Sequence, residues 1–164
     1  MGSGKSTIGR LLSHSLQKNF VDLDFVIEKA MNKSVGEIFA SLGEEAFRKL
    51  EHQYLEEICL QNDQIVSVGG GAPCFYENME IMNKNGKTVY LKMSPQALMK
   101  RFMNLSPKAR NTRPLLANKT KEELHEFISL TLQQRELFYK KATIIVFNED
   151  SDTSKTVERI KMAL

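Results

Sequence analysis

The sequence predicts an α/β fold in which a parallel sheet is covered by helices on both faces. Three observations carry this. Short apolar runs at 20–23, 65–68, 88–92 and 143–147 alternate with longer segments of helical periodicity, the pattern that βαβ units produce. The chain opens on Met1-Gly2-Ser3-Gly4-Lys5-Ser6-Thr7, the second half of the phosphate-loop pattern G-x-x-x-x-G-K-[ST], and runs straight into a helix. Two of the apolar runs end in aspartates or in a run of glycines, at the sheet edge where open α/β folds bind ligands.

Residues 5–18 read as the first helix, with Ile8, Leu11 and Leu12 in apolar spacing. The glycines before it let backbone N–H groups turn inward around an anion, and the helix N-terminus adds partial positive charge. Gly2, Ser3, Gly4, Lys5, Ser6 and Thr7 are the candidate ATP contacts. Lys5 is placed for the β and γ phosphates, and the Ser6 hydroxyl suits Mg²⁺, which prefers oxygen. A flexible start built of small residues is the alternative for this stretch.

Residues 20–23 form a short buried strand ending in Asp24. Alternation points Asp22 and Asp24 the same way. One carboxylate could hold Mg²⁺ through water while the other takes a proton from a substrate hydroxyl. An N-cap aspartate beside a solvated one fits equally. A helix follows over 25–31. Ser34 with Glu37, and Ser41 with Glu44, both have capping-box spacing. They predict a short helical turn and then a separate long helix to about 61, with Phe47, Leu50, Tyr54 and Ile58 as its apolar stripe. Arg48 and Glu51 lie three apart beside that stripe, so Glu51 can orient the guanidinium. A surface ion pair of small value has the same spacing.

The strand at 65–68 enters Gly69-Gly70-Gly71-Ala72-Pro73. Three glycines are costly in chain entropy, and close backbone approach to a ligand is a physical reason to carry them. A helix over 77–84 stops at Gly86, a strand covers 88–92, and Ser94-Pro95 opens a helix to about 103. Residues 104–118 are polar and basic, with Pro107 and Pro114, and read as a lid or a disordered loop. Arg113, just ahead of Pro114, is the candidate arginine finger, against a solvated basic loop. Thr120 and Glu123 box in a helix to about 140. Arg135 on it lies near Leu132, Phe138 and Tyr139, either snorkelling or clamping a carboxylate. A last strand at 143–147 and a helix at 153–164 complete the pattern. His14, His52 and His125 have no partner at useful spacing.

The 164 residues fit a single domain, 1–164, with a real core. A net charge of +3, spread along the chain, argues against a nucleic-acid partner. Cys59 and Cys74 lack metal spacing, and with no secretion signal a reduced, cytoplasmic protein is expected. No apolar run is long enough for a membrane span. A monomer is expected.

Gly-Ser-Gly-Lys-Ser at 2–6, Phe20-Val21-Asp22-Leu23-Asp24, Phe47-Arg48-x-x-Glu51, Ser67-Val68-Gly69-Gly70-Gly71-Ala72-Pro73, Arg113-Pro114-Leu115-Leu116 and Arg135-x-x-x-Tyr139 occur in this order. The set resembles the shikimate kinase family over essentially the whole chain. The resemblance implies a P-loop kinase fold in three α/β/α layers, with a shikimate-binding region at about 24–61 and a lid at about 104–118. It implies ATP-dependent, Mg²⁺-assisted phosphorylation of the shikimate 3-hydroxyl, in the route to chorismate and the aromatic amino acids. Carried over by residue, Asp24, Arg48, Gly70 and Arg135 bind shikimate. Lys5 and Arg113 neutralise the transferred phosphoryl group. Ser6 binds Mg²⁺ directly, and Asp22 and Ser67 bind it through water.

Several positions depart from that pattern. The first glycine of the loop and the strand leading into it are missing from the sequence. That strand belongs between 65–68 and 88–92 and is expected upstream of Met1, so a chain starting at Met1 is expected to fold poorly and bind ATP weakly. Lys108 and Arg110 do not align with the family's adenine-stacking arginine, and residues 148–152 are acidic. Two other readings share the loop: a gluconate kinase or similar small-metabolite kinase, and a truncated, inactive P-loop domain that binds without turnover.

Overall fold

In a computed structural model describing residues 2–104, 119–149 and 152–164, α1 (Lys5–Leu16) begins at Gly4, which adopts a left-handed φ of 91°. The helix ends two residues earlier than expected because Gln17 also turns left-handed, at φ 54°, and its N–H returns to the carbonyls of Ser13 and His14. The chain then enters β1 (Asn19–Asp22) and α2 (Leu23–Met31). Asp24 therefore lies in the first helical turn, not at a strand end. Strand alternation cannot align it with Asp22; the turn into α2 brings the two carboxylates within each other's field instead.

α3 (Val35–Cys59) consists of two helical stretches on either side of Gly43, matching the short turn and long helix expected between 34 and 61. The capping box at Ser34 and Glu37 is present. The one expected at Ser41 and Glu44 does not form: the Ser41 hydroxyl donates to the Glu37 carbonyl, and Glu44 turns to Arg48. Gly43, at φ 81° and ψ 171°, kinks the helix where a break was expected. An L-residue reaches that conformation only with strain, so glycine lets two helical stretches join directly.

β2 (Gln64–Ser67) leads through a short 3₁₀ turn (Ala72–Cys74) to α4 (Asn78–Asn85) and β3 (Val89–Lys92). α5 (Pro95–Met103), α6 (Lys121–Tyr139), β4 (Ile144–Phe147) and α7 (Thr153–Ala163) follow. The strands pair in parallel as expected: β1 with β2, Asp22 opposite Ser67, and β3 with β4. Among the described residues these remain two separate two-stranded sheets. A cavity of about 580 Å³ is lined in part by Ile65, Val66, Val89 and Leu91.

Three apolar clusters fix the helices around the strands. Ile8 and Leu12 of α1 meet Leu91, Val146, Val157 and Ile160. Leu23 and Ile27 of α2 meet Ile38, Phe47 and Leu55 of α3. Met93, Leu98 and Phe102 meet Leu124 and Ile128 of α6. Each such side chain contributes roughly 1.5–3 kcal/mol by leaving water. The second cluster seats α3 against α2 and so brings Arg48 near Asp24.

Candidate active site

The phosphate loop is held from behind. The Ser3 carbonyl accepts from Asn148 Nδ2 at 2.8 Å and from Arg101 Nη1 at 3.2 Å. Asn148 is buried, and its Oδ1 accepts the Thr156 hydroxyl at 2.9 Å, which fixes which end of the amide faces the loop. Gly2 and Gly4 both take positive φ. A Cβ on Gly4 would stand 2.7 Å from Arg101 Nη2, so the guanidinium lies against the loop itself. Sequence reading had no signal for Arg101 or Asn148, which reach the loop across 98 and 145 residues.

Oxygen donors gather at the start of α1. The Ser6 hydroxyl donates to Asp22 Oδ2 at 2.8 Å and lies 3.4 Å from the Ser67 hydroxyl. Thr7 is exposed one position on. Among the described residues, no three His, Cys, Asp or Glu side chains group to hold a metal. The all-oxygen set of Ser6, Asp22 and Ser67 suits a hard divalent cation, and Mg²⁺ among them.

Asp24 sits beside this set. Burial pushes its carboxyl above the ordinary carboxylate range; Asp22 and Glu28 push the same way, and Lys5 and Arg48 oppose. The Lys5 ammonium and the Asp24 carboxylate thus share one field, which links the phosphate loop to the opposite wall.

That wall is an ion pair. Arg48 Nη1 donates to Glu51 Oε2 at 2.6 Å, with side chains 9% and 1% exposed, so this is not the surface pair the spacing also allowed. Burial raises the Glu51 carboxyl, Arg48 opposes, and Glu51 Oε1 has no hydrogen-bond partner. The guanidinium lies 4.6 Å from the Phe75 ring and 5.3 Å from the Phe47 ring. Arg135 of α6 faces the same space, where its charge acts on Glu51, Cys74 and Tyr139.

The glycine run was expected to let a ligand approach the backbone; what packs against it here is the protein's own side chains. A Cβ on Gly69 would stand 2.7 Å from Glu51 Oε1 and 3.1 Å from Asp24 Oδ1. One on Gly71 would stand 2.5–2.7 Å from three atoms of the Arg48 guanidinium. The carbonyls point elsewhere: Gly69 and Gly71 accept from Ala72 and Cys74 N–H groups, and Gly70 accepts the Tyr139 hydroxyl. Asn78, fully buried, donates to the Ala72 carbonyl and meets His52 Nδ1 at 2.7 Å. His52 thus has a partner after all. Asn78 lies on another helix, where helical spacing does not reveal it, and Glu56, one turn on along α3, stands 3.7 Å from His52 Nε2.

Lys5, Ser6, Asp22, Asp24, Arg48, Gly70 and Arg135 therefore border one region, between the phosphate loop and α3. Arg113, with Lys108 and Arg110, lies outside the described residues. Among the described residues, no helix is long and apolar enough to cross a membrane.

A family profile described as shikimate kinase matches residues 1–164. Among curated relatives, the shikimate kinase of Parabacteroides distasonis is 44% identical over 164 residues, covering 100% of this chain and 92% of its own length. That of Azobacteroides pseudotrichonymphae is 42% identical over 161 residues, covering 98% and 92%. The crystal structure of shikimate kinase from Bacteroides thetaiotaomicron superposes with a TM-score of 0.92 at 38% identity, covering 99% of this chain and 92% of that one. Shikimate kinase from Acinetobacter baumannii in complex with shikimate gives 0.86 at 27% identity, covering 99% and 87%.

Proposed function

The chain belongs to the shikimate kinase family, with its P-loop kinase fold, and on that footing we propose that it transfers the γ-phosphate of ATP to the 3-hydroxyl of shikimate. The observation that carries this reading is the buried Arg48–Glu51 pair, with Asp24 and Arg135 beside it, facing the phosphate loop. A small acid has its carboxylate taken by the two arginines. A ring hydroxyl then falls to Asp24, whose carboxylate accepts the proton as the oxygen attacks phosphorus. Lys5 and the loop N–H groups hold the phosphates, with Arg101 as a further cation against the loop. Ser6, Asp22 and Ser67 would hold Mg²⁺, which neutralises phosphate charge when bound. Arg113 is proposed as the finger on the transferred group. The region 24–61 is proposed as the shikimate-binding part of one domain, 104–118 as its lid, and the protein as a cytoplasmic monomer.

ADP release with shikimate, gluconate and a nucleoside monophosphate tests the assignment. Turnover is expected with shikimate alone; equal turnover with gluconate refutes it, because both acids carry a carboxylate and only the ring separates them. The inactive-domain reading predicts shikimate binding with no ADP release.

Two further results are expected. Gly71→Ala pushes a methyl into the Arg48 guanidinium, so the KM for shikimate should rise about tenfold or more while that for ATP holds; misplacement by about 1 Å can cost as much as roughly 100-fold. An unchanged shikimate KM would detach Gly71 from the clamp. The pH profile of kcat should also bear on Asp24. A base acts only when deprotonated, and burial raises this carboxyl, so the acid limb should fall above the ordinary carboxylate range of about 4. An acid limb at or below that range would remove Asp24 as the base.

A further inference from the structure

Arg48 has five N–H groups, and two different carboxylates engage them. Glu51 takes Nη1 through a single short bond at 2.6 Å, wholly buried. Glu44 takes the other edge, and takes it differently. Its Oε1 alone receives both Nε, at 3.3 Å, and Nη2, at 3.0 Å. That edge of a guanidinium matches a carboxylate that brings two oxygens in parallel, one to each N–H. One shared oxygen at longer distance fills it less well.

The two acids also differ in freedom. The Glu44 side chain is 58% exposed, against 1% for Glu51. Glu44 directly follows the Gly43 kink, and nothing lies within 4 Å of the place a Gly43 Cβ would occupy. Glu44 can rotate into water without disturbing the core, whereas Glu51 cannot. Phe39, Phe47 and Phe75 surround the guanidinium at 5.6, 5.3 and 4.6 Å and keep its plane in place while a partner is exchanged.

We propose that Glu44 is a stand-in for the substrate's carboxylate: it occupies the Nε and Nη2 edge of Arg48 when the site is empty and gives it up to the incoming acid. The exchange swaps one negative charge for another, so the pocket's charge is unchanged and Glu51 keeps its counter-ion throughout. It also makes Glu44 a specificity residue. A ligand without a carboxylate gains nothing from displacing Glu44, whereas an acid with two oxygens replaces a poor contact with a good one. This rests on the reading of Arg48 as the carboxylate clamp.

Glu44→Gln removes the competing charge and keeps the side chain's size. The KM for shikimate should fall about two- to fivefold, the range a partly exposed ion pair covers, with kcat moving less than KM. Calorimetric binding of the shikimate analogue whose carboxylate is reduced to a primary alcohol should be the same in both proteins. A shikimate KM that is unchanged or higher in Glu44→Gln overturns the proposal, since Glu44 would then be idle or would position Arg48. Equal tightening for the alcohol analogue overturns it too. The clamp reading fails separately, if Arg48→Met leaves the shikimate KM unchanged.

Discussion

Replacing Asp24 by asparagine is expected to cut turnover roughly 100-fold or more while leaving the protein at least as stable near neutral pH. The first part follows from its placement. A positioned base contributes on the order of 10²–10⁴ in rate, and an amide of the same shape cannot take a proton. The second part follows from its burial. The folded-state pKa of Asp24 is raised above its unfolded value. The folded protein then binds this proton over a pH range in which the unfolded chain has lost it. Stability from this group is therefore full below the unfolded pKa, falls as pH rises through the folded pKa, and stays lost above it. Asparagine carries no such loss. Steady-state kinetics and thermal unfolding at pH 8 check both halves. Retained turnover, or a lower midpoint for the variant, would make Asp24 a structural residue.

The second large effect is expected at Arg48. Arg48→Met leaves Glu51 buried with its counter-ion gone, which should cost about 3–5 kcal/mol, or on the order of 10 °C in Tm. Where the variant folds, the KM for shikimate should rise about 30-fold or more, the loss of one charge-assisted fork at roughly 2 kcal/mol or above. The double variant Arg48→Met, Glu51→Leu separates the two roles. Removing both charges should restore most of the stability, because well-packed apolar groups replace buried ion pairs at little cost. The shikimate KM should stay high. Recovery of binding along with stability would mean that Arg48 only supports the fold.

The site was legible in the sequence where chemistry depends on local spacing. Gly4-Lys5-Ser6, the Arg48–Glu51 interval and the three glycines each state their own requirement within a few residues. The glycines were readable as close approach, though of a ligand; in the structure Asp24, Glu51 and Arg48 are what approach them. Local signals misled where a longer-range fact overrides them. Ser41 and Glu44 spell a helix start, and a helical stretch does begin after Gly43, but the cap pairing itself does not form because Glu44 turns to Arg48. Asp24 follows a strand-like run, yet the helix begins at Leu23, one residue too early for alternation to apply. Arg101, Asn148 and the His52–Asn78 pair were unreadable for a different reason. Their partners are 98, 145 and 26 residues away, and no periodicity connects such positions.

The tie between Asn148 and Ser3 also sets an order of events in biosynthesis. The glycines and lysine of the phosphate loop leave the ribosome well before the amide that anchors the Ser3 carbonyl, which comes 145 residues later, and whose own orientation waits for Thr156 on α7. Closing a loop of that length is entropically slow and is rewarded only once both ends are present. During synthesis the loop is therefore an unanchored peptide in front of α1. Its anchored shape waits for residues made long after its own.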